Sequence, residues 1–128
     1  MNLLVLMGEN ATGKTAIGHE VMLRTDSPVF EIGDIIRKRI SRLREDSVLA
    51  YIERTIRQGD RLSWAEEAVD QIEAGQNINA IIIGVRARAE VDFLRNAASS
   101  CLAVALTTTQ DIRLRRWRER EGPQADIQ

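Results

Sequence analysis

Gly8-Glu9-Asn10-Ala11-Thr12-Gly13-Lys14-Thr15 decides the reading of this chain. Its spacing is G-x-x-x-x-G-K-T, and it directly follows the apolar run Leu3-Leu4-Val5-Leu6-Met7. A run that is apolar at every position and stops at a glycine is expected of a parallel strand buried on both faces. The glycines allow the chain to turn backbone N–H groups inward, and a helix starting at the end of the loop adds its positive terminus, so the segment reads as a cradle for phosphates. In such a cradle Lys14 bridges the β- and γ-phosphates of a nucleoside triphosphate, and the Thr15 hydroxyl is the metal ligand. The expected ligand is ATP with Mg2+, held by Gly8, Glu9, Asn10, Ala11, Thr12, Gly13, Lys14 and Thr15. The bland alternative is a glycine turn that joins strand to helix and binds nothing; the dinucleotide pattern G-x-G-x-x-G is absent from this loop.

Strand and helix alternate outward from the loop. Residues 14–24 carry Ile17 and Val21 one turn apart and end at Asp26-Ser27-Pro28, which predicts a helix. Residues 29–32 read as a short second strand, and Asp34 is expected to open and N-cap the next helix, with Ile35, Ile36, Ile40 and Leu43 on one side. Val48, Ile52 and Ile56 mark a further helix that breaks at Gly59-Asp60. Ser63-Trp64-Ala65-Glu66 has the spacing of a capping box for a helix stopping at Gly75, with Trp64 as a packing residue. Residues 80–83 form a third strand, 87–97 a helix and 101–106 a fourth strand. The pattern predicts an α/β fold of three layers, with helices on both sides of a parallel sheet of four visible strands.

Composition limits the rest. A chain of 128 residues with 44% hydrophobic content suits one domain with its own core. A net charge of −1 provides no general basic field, which argues against a nucleic-acid binder or a membrane-surface protein. No apolar stretch has the length of a membrane span or the flanks of a signal peptide. Cys101, the only cysteine, reads as a buried free thiol in a reducing compartment, and the expected location is the cytoplasm. His19, past the loop, reads as a surface residue.

Three more segments bear on function: Glu31-Ile32-Gly33-Asp34-Ile35-Ile36-Arg37, Ile83-Gly84-Val85-Arg86, and Arg113-Leu114-Arg115-Arg116-Trp117-Arg118-Glu119-Arg120. With the phosphate loop they make the chain resemble the P-loop kinases of small metabolites. The resemblance is to the group of nucleoside monophosphate kinases, dephospho-coenzyme A kinase and archaeal nucleotide-kinase-like proteins, and it covers nearly the whole chain. It implies the P-loop NTPase fold and transfer of the γ-phosphate of ATP to a nucleoside monophosphate or a similar small phosphorylated metabolite. It places Asp34, Arg37 and Arg86 in the acceptor site, with Asp34 orienting the acceptor or holding magnesium through water. It makes 113–120 the start of a lid whose Arg116 and Arg120 act on the transferring phosphoryl group. Positions 113, 116 and 120 share a helix face, and Leu114 and Trp117 are expected on the opposite side. The catalytic set implied is Lys14, Asp34, Arg116 and Arg120.

The chain departs from the group at two places. Ile83 stands where the relatives carry an aspartate that assists magnesium, which puts turnover in question more than ATP binding; Asp34 or Glu31 is the nearby carboxylate that could take its place. The sequence also ends at 122–128, within the lid region, without the fifth strand and final helix of the group. The expectation is a single kinase-like domain, 1–128, that is either cut from a longer protein or paired with a second copy covering the apolar fourth strand. A rival reading is a nucleotide-binding regulatory or assembly module with little phosphotransfer. A nucleic-acid-end kinase using the arginine helix is a third.

Overall fold

The computed structural model describes residues 1–43 and 47–125; positions 126–128 of the lid segment lie outside the described residues. Ten elements follow in order: β1 (Asn2–Met7), α1 (Lys14–Thr25), β2 (Val29–Glu31), α2 (Ile32–Leu43), α3 (Val48–Arg57), α4 (Ser63–Ala74), β3 (Asn79–Ile83), α5 (Arg88–Ala97), β4 (Ser100–Ala105) and α6 (Gln110–Glu121). The four strands form one parallel sheet in the order β2-β3-β1-β4.

The strands are apolar throughout because each side of the sheet is a core. On β1, Leu3 and Val5 join Ala80 and Ile82 of β3 in a cluster under α2, α4 and α5, with Ile35, Ala68, Ile72 and Leu94. The alternate residues Leu6, Ile81 and Ile83 face α1 and pack with Val21 and Met22. Side chains alternate across a strand, so only a run without polar residues supplies both layers. α1 comes close to the sheet through Gly18, where an added Cβ would stand 2.5 Å from Ile83 Cδ1. Ile83 is therefore an apolar contact between β3 and α1, 3% exposed.

The register aligns the carboxyl ends of the strands. Glu31 lies beside Ile83, Ile83 beside Leu6, and Met7 beside Ala105. The sheet order reverses at β1, so the loop after β1 opens at the switch point where ligands of such sheets bind. β4 lies at a sheet edge, with Leu102 63% exposed.

Local readings of the sequence need correction. Asp34 is not a cap: β2 passes directly into α2 at Ile32, so Asp34 lies in the first turn, where a carboxylate still favours the helix dipole. The Ser63 capping box is not formed. Leu62 is the N-cap, and the Ser63 hydroxyl instead accepts a 2.8 Å bond from Arg39, which also donates 3.0 Å to Glu67 and so ties α2 to α4. Trp64 packs in the core as expected, with its indole N–H donating to the Tyr51 hydroxyl at 3.3 Å. Cys101 is half-buried rather than buried; burial raises its thiol pKa, which keeps the sulfur protonated and unreactive.

Candidate nucleotide and acceptor site

The loop after β1 is held in shape by its own polar atoms. Thr12 Oγ1 donates to the Glu9 carbonyl at 2.9 Å, and Lys14 Nζ donates to the Gly8 and Glu9 carbonyls, the latter at 3.3 Å. Gly8 has φ +149°, and a Cβ there would meet the Leu106 carbonyl oxygen at 2.7 Å and Thr12 Oγ1 at 2.8 Å. The backbone of Leu106 is fixed by its N–H bond to Met7 O at 2.8 Å, so the clash has no easy exit. Gly8→Ala is expected to cost roughly 2 kcal/mol or more of stability and to remove ATP binding. Thermal melting with calorimetry checks this, and a variant with wild-type melting and affinity would contradict it.

α6 closes over this loop. Arg113, only 14% exposed in its side chain, pairs with Glu9 and donates Nε to the Asn10 carbonyl at 3.0 Å. Arg116 reaches the Ala11 carbonyl at 3.4 Å from the same helix face. Arg113 thus braces the loop, a role that the sequence did not assign to it. Trp117 is not on the far side of α6. It lines the same cleft as Arg120, whose guanidinium lies 4.8 Å from its ring centre, a cation–π contact.

Two cavities meet here. One, of about 450 Å³, follows the loop residues 10–16 and is capped by Arg116 and Arg120. The other, of about 690 Å³, runs between the strand ends and helices α2 and α3, and contains Arg37, Arg86, Glu31 and Gly33. Asn10, Lys14, Thr15 and Arg120 line both. The candidates named from sequence are therefore brought together: Lys14, Thr15, Arg116 and Arg120 around the first space, and Arg37 and Arg86 on the wall of the second. Asp34 stands beside this wall in an ion pair with Arg37, and the hydrogen bond from that guanidinium holds its carboxyl below the usual carboxylate range.

The electrostatics call for an anion. Burial, followed by the neighbouring charges of Arg86, Arg113 and Arg120, lowers the pKa of Lys14. Several cations converge on one ammonium group, and a polyphosphate would relieve that repulsion. Next to Lys14, Thr15 Oγ1 donates to Glu31 Oε1 at 3.1 Å. Glu31 is the register partner of Ile83. A carboxylate thus stands one strand away from the apolar position and beside the threonine hydroxyl.

The wall away from the loop is apolar, formed by Ile36, Val48, Ile52, Ile56, Trp64 and Trp117. Arg61 and the buried Glu90 also line it. Nothing in the local sequence singles out Arg61, and Glu90 is visible only as a carboxylate four residues after Arg86. The Trp117 indole N–H is buried without a partner, among the described residues the one such side-chain atom.

Comparison with solved structures places the fold. A gluconokinase from Sinorhizobium meliloti 1021 superposes with a TM-score of 0.65 at 19% identity over 94% of this chain and 66% of its own. A sugar kinase from Janibacter sp. HTCC2649 gives 0.69 at 24% identity over 95% and 69%. A shikimate kinase from Aquifex aeolicus vf5 gives 0.57 at 14% identity over 88% and 63%. The chain spans about two thirds of the length of these structures. The fold is that of P-loop small-molecule kinases. No curated protein matches the sequence, and no helix among the described residues is long and apolar enough to cross a membrane. A family profile described as an AAA domain matches residues 4–128, and the chain belongs to that family.

Proposed function

We propose that this chain binds magnesium ATP on the loop of residues 8–15 and transfers the γ-phosphate to a small phosphorylated acceptor, of which a nucleoside monophosphate is the preferred class. One observation carries the reading: the loop cavity and the larger cleft share Lys14, Thr15 and Arg120, so a donor phosphate and an acceptor oxygen would meet beneath two cationic side chains. Phosphoryl transfer needs little beyond such positioning and charge compensation, and no covalent nucleophile is called for.

The cleft supports the acceptor class. Arginines 37 and 86 suit the bidentate recognition of a phosphate, and the apolar wall of Ile52, Ile56 and Trp117 suits a flat base more than a polyol, whose hydroxyls need polar partners. Thr15 and Glu31 offer the hard oxygen donors that magnesium takes, with Asp34 nearby as a carboxylate able to act through water. Magnesium bound there would supply charge neutralisation for the phosphoryl group in transit. Lys14 and Arg116 hold the donor phosphates, Arg120 compensates charge on the group in transit, and Arg37 and Arg86 hold the acceptor. The half-buried free Cys101 agrees with the reducing cytoplasm as the location.

A panel of nucleoside monophosphates, dephospho-coenzyme A, gluconate and shikimate, assayed for ADP release with Lys14→Ala as control, tests this. ADP release that rises at least tenfold with a nucleoside monophosphate is the expected outcome. Tight ATP binding with no acceptor-dependent ADP favours a regulatory nucleotide-binding module, the reading to which Ile83 lends weight.

A further inference from the structure

Glu90 is the one charged residue among the described residues that is buried, at 3% exposure. It sits in the first turn of α5 and borders the large cleft. A carboxylate out of water is unfavourable unless it does something that a cheaper residue cannot. The N-cap of α5 is Ala87, which has no side-chain oxygen to hold the first turn. Glu90 reaches back instead: its Oε1 accepts from the Ala87 N–H at 3.2 Å, and the Arg86 N–H is directed to the same carboxylate.

These two amides follow the turn at Gly84, where φ is +98°. From that pinned backbone the Arg86 side chain extends over the loop, with Nη2 3.5 Å from Asn10 Oδ1, close enough to be the leading charge acting on Lys14. Arg61 and Arg86 are the cations facing the carboxylate, and burial raises its pKa in spite of them. A serine or aspartate at 87 would cap the helix without burying a charge. A carboxylate at 90 fixes residues 86 and 87 together.

We propose that Glu90 is a positioning residue: by holding the backbone of Arg86 and Ala87 it aims the Arg86 guanidinium into the mouth of the cleft, where an acceptor's anionic group would lie. The proposal rests on the kinase reading for what Arg86 binds, but not for how Arg86 is held. Glu90→Met keeps the volume and removes the acceptor oxygens, an exchange that apolar surroundings tolerate; Glu90→Gln keeps one oxygen able to accept from Ala87.

In the ligand-free protein, nuclear magnetic resonance reads amide exchange at Arg86 and Ala87 and the order of the Arg86 Nε–H. Glu90→Met is expected to speed exchange at both amides about tenfold or more and to disorder the guanidinium, with Glu90→Gln restoring the protection of Ala87 and the order of the guanidinium. With whichever phosphorylated acceptor gives ADP in the panel, Glu90→Met is expected to raise the acceptor KM about tenfold, leave the KM for ATP within about twofold, and add nothing to Arg86→Ala. An unchanged Arg86 Nε–H in Glu90→Met, or effects of Glu90→Met and Arg86→Ala that multiply, would overturn the proposal. If no acceptor is phosphorylated, the kinase reading fails by itself, and the ligand-free measurements still decide the role of Glu90.

Discussion

Lys14→Ala is expected to weaken ATP binding about a hundredfold or more while leaving the melting temperature within a few degrees of the wild type. The two consequences have different causes. In the free protein, among the described residues, the Lys14 ammonium donates to the carbonyls of Gly8 and Glu9, and Thr12, Arg113 and Arg116 hold the same loop through other atoms. Losing those two bonds uncovers one carbonyl on the exposed Glu9 and one on the half-buried Gly8, so the fold loses little. In the complex the ammonium faces phosphate charge from a half-buried position where water competes poorly. Hydrogen bonds to charged groups contribute about 1.5–3 kcal/mol each, and two of them amount to a hundredfold or more in affinity. Calorimetric titration with magnesium ATP checks it; micromolar affinity retained by Lys14→Ala would remove the phosphate-loop assignment.

Arg120→Ala is expected to lower kcat about a thousandfold, the scale at which one arginine over a transferring phosphoryl group acts, with less than about tenfold change in ATP affinity. Its position separates the two quantities. Arg120 borders the loop cavity and the cleft alike, but the loop's hydrogen bonds from α6 come from Arg113 and Arg116. The Arg120 guanidinium rests on the Trp117 ring, 4.8 Å from its centre, and pairs with Glu121 at 3.3 Å. Both contacts are at the surface end of α6 and are weak enough to give way to a phosphoryl group. Lysine would keep the charge but lose the fork and the stacking, so Arg120→Lys should recover only part of the rate. Rapid-quench measurement of a single turnover checks the prediction, and a loss below tenfold would transfer the role to Arg116.

The legible parts of this fold are those whose signal is local and redundant. The run from Leu3 to Met7, the glycine-bounded loop and the lysine that starts α1 all agree, and neighbouring β3 repeats the apolar pattern at 80–83. Misreadings arose where a tertiary partner took a group that the local pattern had committed elsewhere. Arg39 captures the hydroxyl that would have capped α4. Burial of Ile32 at 2% exposure starts α2 two residues before Asp34.

The candidate site divides in the same way. Lys14 and Thr15 could be named because the spacing of the loop carries them, and Arg37, Arg86, Arg116 and Arg120 because the family resemblance implied them; the fold brings all six to the two cavities at the loop. Arg61, Trp117 and Glu90 could not, because their only common property is the cleft they border, formed by segments far apart in sequence. Ile83 is the informative intermediate case. Sequence marked it as an apolar residue in the place of a carboxylate; the structure adds that it packs beneath Gly18 and that Glu31, its register partner, presents a carboxylate to Thr15. The carboxylate and the apolar contact to α1 thus stand on adjacent strands, at the same register.

The most direct measurement follows the label from [γ-³²P]ATP in a mixture of the chain, magnesium and the nucleoside monophosphates. Label is expected at the terminal phosphate of a nucleoside diphosphate, at a rate that Arg120→Ala reduces about a thousandfold. Label that stays in ATP, or appears only as inorganic phosphate whichever acceptor is present, would contradict it.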